Sequence, residues 1–169
     1  MKTKKWLAVS AVLAGCASGG GNNEALVGRV RFVDTSGQPA GEASLFQAAE
    51  GIRVVAKLPN LGAGEHGFHF HAVGDCKAPT FETAGPHFNP MQRQHGRLNP
   101  NGWHLGDLPN IGGSGSVNIV LQGLQATGAN GLDDADGTAL VVHANADDQK
   151  TDPSGNSGAR IRCGVVERP

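Results

Sequence analysis

This sequence predicts an all-β fold, one antiparallel sandwich or barrel, on three observations. Short apolar runs that alternate with polar residues recur along the chain, the pattern of half-buried strands. Glycine (26 residues) and proline (9) punctuate those runs, supplying turn chemistry at the intervals a sandwich or barrel needs. No segment sustains a helical apolar period over about ten residues. The 169 residues suit a single domain.

The first element precedes that domain. Lys2, Lys4 and Lys5 lead into an apolar, small-residue run over 6–15, a charged n-region and an h-region too short to span a bilayer. Residues 1–15 therefore read as a signal peptide. Its end, Leu13-Ala14-Gly15-Cys16, resembles the lipobox of bacterial lipoproteins, in which the peptide before the cysteine is cut and the cysteine is lipidated. Residues 16–24 then form a flexible tether rich in Gly, Ser and Asn, and 25–169 the folded domain. Ala17 rather than Asp after the cysteine suggests sorting to the outer membrane of a bacterial cell envelope, facing the periplasm. Cleavage before Cys16 removes three lysines and no acids, so 14 basic residues fall to 11 against 15 acidic ones, and the net charge becomes −4. No basic stripe remains, which argues against a nucleic-acid partner. With Cys16 committed to lipid, Cys76 and Cys163 remain as one pair for an oxidising compartment.

Strands are expected over 25–33, which alternates around Arg29 and Arg31, and over 43–47 and 52–58, joined by the hairpin turn Ala48-Ala49-Glu50-Gly51. Further strands follow over 67–71, 116–121, 138–143 and 159–166. Two long polar stretches break this rhythm, 74–101 and 144–158. Each begins just after a histidine at a strand end, and long structureless loops in a compact domain are usually functional or disordered.

The chain has 7 histidines and no tyrosine, and imidazole is the commonest metal ligand. In His66-Gly67-Phe68-His69-Phe70-His71 the strand period places His69 and His71 on one face and Phe68 and Phe70 on the other. The phenylalanines can then enter the core and leave a two-ligand half-site outside it. His66 has the opposite parity and suits tying backbone groups together. His87, His95, His104 and Asp107 lie within 21 residues and supply the ligand types of a closed tetrahedral zinc site. His143 ends the apolar run Ala139-Leu140-Val141-Val142, and one of Asp147 and Asp148 could lock histidines of the two groups together, since metal-bound imidazoles usually donate their other N–H to an oxygen. Arg160 stands three residues before Cys163.

These stretches together resemble the copper,zinc superoxide dismutases. The residues that carry the resemblance are Gly64-Glu65-His66-Gly67-Phe68-His69-Phe70-His71, Gly85-Pro86-His87-Phe88-Asn89-Pro90, His104-Leu105-Gly106-Asp107-Leu108, Leu140-Val141-Val142-His143 with Ala146-Asp147-Asp148, and Gly158-Ala159-Arg160 leading to Cys163. The resemblance implies an eight-stranded Greek-key barrel or sandwich of immunoglobulin-like type with two long functional loops, and disproportionation of superoxide to dioxygen and peroxide. It implies one copper ion per subunit on His69, His71, His87 and His143, and one zinc ion on His87, His95, His104 and Asp107, with His87 bridging them and carrying a proton. Asp147 would link a copper histidine to a zinc one, Arg160 would hold the anionic substrate, and Cys76–Cys163 would be the disulfide. The partners implied are superoxide and a membrane reached only through lipid on Cys16, with a homodimer left open. Pro153 stands where many animal enzymes carry a substrate-attracting lysine, with Lys150 nearby, and ten residues separate Cys76 from His87. A non-enzymatic metal-binding or copper-handling module on the same fold is the alternative; it would be expected to lose a copper histidine, the linking aspartate or the arginine, and all are present.

Overall fold

A computed structural model describes residues 24–169. The signal peptide, Cys16 and nearly all of the tether lie outside the described residues. Strand β1 (Ala25–Asp34) shows how the sequence pattern becomes a layer: Gly28, Val30 and Phe32 are buried while Arg29 and Arg31 are exposed. It pairs antiparallel with β2 (Pro39–Ala48), Val30 opposite Ala43, and β2 continues through the expected hairpin into β3 (Gly51–Lys57). The other strands are β4 (Glu65–His66), β5 (Phe68–His71), β6 (Ile111–Gly112), β7 (Ser116–Gln122), β8 (Ala139–His143) and β9 (Arg160–Glu167).

All strand pairs are antiparallel, in the order β5-β8-β9-β1-β2-β3-β7, with β4 paired to β6. Taking β4 and β5 as one strand interrupted at Gly67 gives eight. The chain runs β1-β2-β3, crosses the molecule to β4 and β5, returns through β6 to place β7 beside β3, then crosses again so that β9 lies beside β1. That is the Greek-key barrel expected.

All seven strands read from the sequence are present. The structure adds β4 and β6, two residues each and too short for any alternation to register, and starts β2 four residues earlier, at Pro39. Pro39-Ala40-Gly41 carries turn chemistry, which hid those residues; Gly41 adopts φ 134° at a register shift opposite Phe32, where a Cβ would lie 2.9 Å from Leu58 Cδ2. Helical structure among the described residues is one 3₁₀ turn, Glu82–Ala84.

The barrel interior is filled from every strand layer. Phe32, Phe68, Leu45, Ile52, Val54, Phe70, Leu121 and Leu140 are fully buried, and the Phe32 and Phe68 rings lie 6.4 Å apart. Each such side chain contributes roughly 1.5–3 kcal/mol by leaving water. A second, smaller apolar cluster forms outside the barrel, where Phe81 and Ala84 of the first long loop sit on Ala139, Val141 and Cys163. The Cys76–Cys163 disulfide closes over the same patch. The loop is thus seated on its own apolar anchor, which brings its histidines down onto β5 and β8.

Candidate metal centre

The half-site expected on one strand face forms as the parity argument requires. Phe68 and Phe70 enter the core, and His69 and His71 emerge on the opposite side of the sheet, yet are fully buried because the long loops cover them. β5 pairs with β8 on one edge. Its other edge is taken by the first loop: Phe88 N–H donates to Phe70 O at 2.8 Å, Phe70 N–H to Gly106 O at 2.9 Å, and Ala72 N–H to Pro86 O at 2.9 Å. This backbone pairing sets His87 opposite His71 and Asp107 opposite His69. His143, at the end of β8, completes the neighbourhood.

Two sets of ligand-type atoms result, His69, His71, His87 and His143, and His87, His95, His104 and Asp107, the atoms of each lying within 4.8 Å of one another. His87 alone belongs to both. In each histidine of the first set apart from His87, one ring nitrogen is committed outward. His71 Nδ1 donates to Gly85 O at 2.8 Å, His143 Nδ1 to Gly158 O at 3.1 Å, and His69 Nε2 to Asp147 Oδ2 at 2.7 Å. Each bond selects the tautomer whose other nitrogen carries a lone pair inward. His71 Nε2 and His143 Nε2 consequently face each other at 3.4 Å, and His69 Nδ1 and His87 Nε2 are buried with no hydrogen-bond partner.

In the second set, Nδ1 of His87, His95 and His104 lie 3.0, 3.2 and 3.2 Å from one oxygen, Asp107 Oδ1. A tetrahedron with metal–ligand lengths of about 2.0–2.1 Å has edges of roughly 3.3 Å, so each of the three nitrogens already stands at ligand spacing from that oxygen. His95 Nδ1 is another buried nitrogen without a hydrogen-bond partner. The orphaned nitrogens, the converging lone pairs and the donor types fit a nitrogen-rich redox metal beside a tetrahedral zinc ion.

The electrostatics agree. Burial, then the neighbouring rings, pushes His87 down to about 4 and His143 down to about 3, and burial lowers His69 and takes His71 well below the ordinary imidazole range. These rings are neutral, as ligands must be. Burial works against the charge of Asp107, but hydrogen bonds from His104 and His87, with the His95 ring beside them, outweigh it and hold the carboxyl below the usual range. For His95, burial opposes the cation, but the carboxylates of Asp107 and Asp147 prevail and raise it to about 9.

Of the two aspartates left open by the sequence, Asp147 joins the groups: Oδ2 accepts from His69 Nε2 at 2.7 Å, and Oδ1 lies 3.0 Å from His95 Nε2. Asp148 is exposed and accepts from backbone N–H groups of its own loop. Arg160 sits at the start of β9, half-buried, with Nη1 donating to Phe81 O and Nη2 to Gly85 O, both at 2.7 Å. Gly85 O thereby joins the guanidinium to His71. The arginine borders a cavity of about 420 Å³ with Thr35, Glu82 and Gly158. His66 ties backbone, Nδ1 donating to His143 O at 2.9 Å.

Three functional contacts were missed in the sequence. Asn110 brackets the backbone of Asp147, accepting from its N–H at 2.8 Å and donating to its carbonyl at 2.9 Å. Gln149 donates to both carboxylate oxygens of Asp147. Asp152 accepts from His95 N–H at 2.6 Å. Polar residues of a polar loop carry no signal that separates such work from solvation.

Residues 39–166 match the family model described as copper/zinc superoxide dismutase. Among curated relatives, the chain is 41% identical over 143 residues to superoxide dismutase [Cu-Zn] 1 of Aquifex aeolicus, covering 80% of this chain and 85% of that protein. It is 42% identical over 139 residues to superoxide dismutase [Cu-Zn] of Caulobacter vibrioides, covering 78% and 80% respectively. Among solved structures, a SOD-like protein from Bacillus subtilis superposes with a TM-score of 0.76 at 38% identity, over 85% of this chain and 100% of that one.

Proposed function

The chain belongs to the copper/zinc superoxide dismutase family, and on that premise we propose how its residues divide the work. It disproportionates superoxide to dioxygen and hydrogen peroxide and uses copper and zinc. We assign copper to His69, His71, His87 and His143, and zinc to His87, His95, His104 and Asp107. The observation that carries the assignment is the inward convergence of ring nitrogens, with the other ring nitrogen of His69, His71, His143 and His95 committed outward to an oxygen. Bound there, copper supplies one-electron cycling between its divalent and monovalent states, while zinc has no redox chemistry and supplies charge and geometry.

His87 belongs to both sets; its Nδ1 lies with the zinc-type ligands beside Asp107, so Nε2, buried without a partner, would be the atom at which the ring could take up a proton and give it to the peroxide product. Arg160 holds the anionic substrate. Its carbonyl bonds to Phe81 and Gly85 use two of the guanidinium's N–H donors, and the remaining ones, on a planar fork suited to oxyanions, can meet superoxide. Asp147 keeps His69 and His95 in the tautomers their roles need. Metal analysis beside superoxide dismutation tests this. His87→Ala should lose more than one metal, and His95→Ala should empty zinc while retaining part of the copper. One metal per chain in fully active protein would sink the assignment.

We further propose that residues 1–15 are a signal peptide, that Cys16 is lipidated, that 16–24 tether the domain 25–169, and that the protein faces the periplasm from a bacterial outer membrane. The motif Leu13-Ala14-Gly15-Cys16 supports this, as does a disulfide, which persists in oxidising compartments. Cys16→Ser should move the protein to the soluble fraction or block processing; wild type already soluble and without a lipid mass would refute it. A homodimer is tested by sedimentation-equilibrium measurement of mass in solution, where twice the mass of one chain supports it and a single-chain mass refutes it.

A further inference from the structure

The second long loop reaches the zinc-side histidines twice. Asp147 takes the ring of His95, and Asp152 takes the same residue's backbone N–H, its Oδ1 2.6 Å from the nitrogen. That Oδ1 also lies 4.0 Å from Nε2 of His104. Nδ1 of His104 faces Asp107, 3.2 Å away; in a neutral ring that binds metal through Nδ1 the proton sits on Nε2, the nitrogen that has Asp152 as its neighbouring carboxylate. The Asp152 side chain is 50% exposed and lines an open cavity of about 540 Å³ that His87, His104 and Pro153 also line. A carboxylate this exposed can bring an oxygen across a 4.0 Å gap by a small rotation. It is not occupied with bracing its own loop, because Asp148 does that by accepting from the N–H groups of Lys150 and Thr151.

We infer that Asp152 is a positioning residue for zinc, giving His104 the outer carboxylate that Asp147 gives His95 and slowing escape of the ion through the cavity. The inference rests on the zinc set proposed above. A carboxylate behind a metal-bound imidazole fixes its tautomer and raises the basicity of the donor nitrogen, and losing one typically weakens metal binding 10–100-fold.

The test is the rate at which zinc passes from the fully loaded chain to a colorimetric chelator, for Asp152→Asn and Asp152→Ala. It is read beside the melting temperature of the metal-free protein and the visible spectrum with cobalt(II) in place of zinc. Asparagine keeps an oxygen for His95 N–H and loses the charge facing His104. Metal-free Asp152→Asn should therefore melt with the wild type, yet release zinc about tenfold faster with shifted cobalt bands, and Asp152→Ala should release it faster still. If asparagine restores the wild-type rate and spectrum while alanine does not, the His95 bond is all that Asp152 supplies and the inference is overturned. Wild-type rates for both variants overturn it entirely. Zinc stoichiometry separates the premise: if His104→Ala holds zinc as tightly as wild type, the zinc assignment itself fails.

Discussion

Gly155 lies in left-handed backbone at φ 65°, where an added Cβ would overlap the Asp147 carboxylate and stand 2.7 Å from His95 Nε2. Gly155→Ala should displace Asp147 from both histidines and weaken zinc binding by 10–100-fold, as measured by competition with a chelator. His95 itself makes zinc uptake a proton exchange. Its metal-free ring, raised to about 9 from 6.5, is protonated at neutral pH, and a ligand nitrogen must lose that proton. Calorimetry in buffers of different ionisation enthalpy should find about one proton released per zinc near pH 7.5, with affinity rising as pH rises towards 9. For the metal-free fold the sign is opposite: the raised ring stabilises below about pH 6.5, and that contribution is lost as pH climbs through 9. No net release at pH 7.5 would contradict this charge state. The site histidines were legible because metal-ligand spacing is a property of sequence. The oxygens that orient them were not, since Gly85 O and Gly158 O belong to backbone whose direction only the folded loop defines.

At the scale of elements, strands announced themselves wherever alternation ran for five residues or more, and β4, β6 and the start of β2 escaped because two residues or a glycine-proline context leave no period to read. The first loop is held by devices of different legibility. Its disulfide was visible as a cysteine pair, whereas the seating of Phe81 on Ala139 and Val141 is invisible in a polar stretch with no periodicity. Breaking the bridge with Cys76→Ser and Cys163→Ser together opens a link between residues 87 apart in sequence. It should cost roughly 4–5 kcal/mol on the chain-entropy view, seen as a lower denaturation midpoint. The same change should lower turnover in copper-loaded protein, because Phe81 O, one of the two carbonyls that orient Arg160, rides on that loop. Unchanged stability and turnover in the double variant would refute both parts.

Removal of residues 1–15, as proposed, would leave a net charge of −4 against −1 for the whole sequence; such a molecule repels superoxide at long range, so encounter would depend on a local positive field, and superoxide dismutases are themselves the standing example of such steering. With Pro153 at the position where the resemblance places the lysine of many animal enzymes, Arg160 and the bound copper should carry most of that field. Arg160→Ala should cut turnover strongly and Arg160→Lys less, since charge survives while the planar fork is lost. Salt should slow the wild type, screening over about 8–10 Å, and slow Arg160→Ala much less. A wild-type rate and salt dependence in copper-loaded Arg160→Ala would transfer the steering to Lys150. The Greek-key path has one more consequence, and it concerns time. The proposed zinc ligands lie within 21 residues, 87 through 107, whereas the proposed copper ligands need both β5 and β8, residues 69 through 143. A chain emerging from its first residue onward can assemble the zinc set well before β8 exists, and the rings for copper meet only when the second crossing of the barrel is complete. Order of emergence, on the periplasmic side proposed above, should then set the order of metal loading, zinc first and copper last.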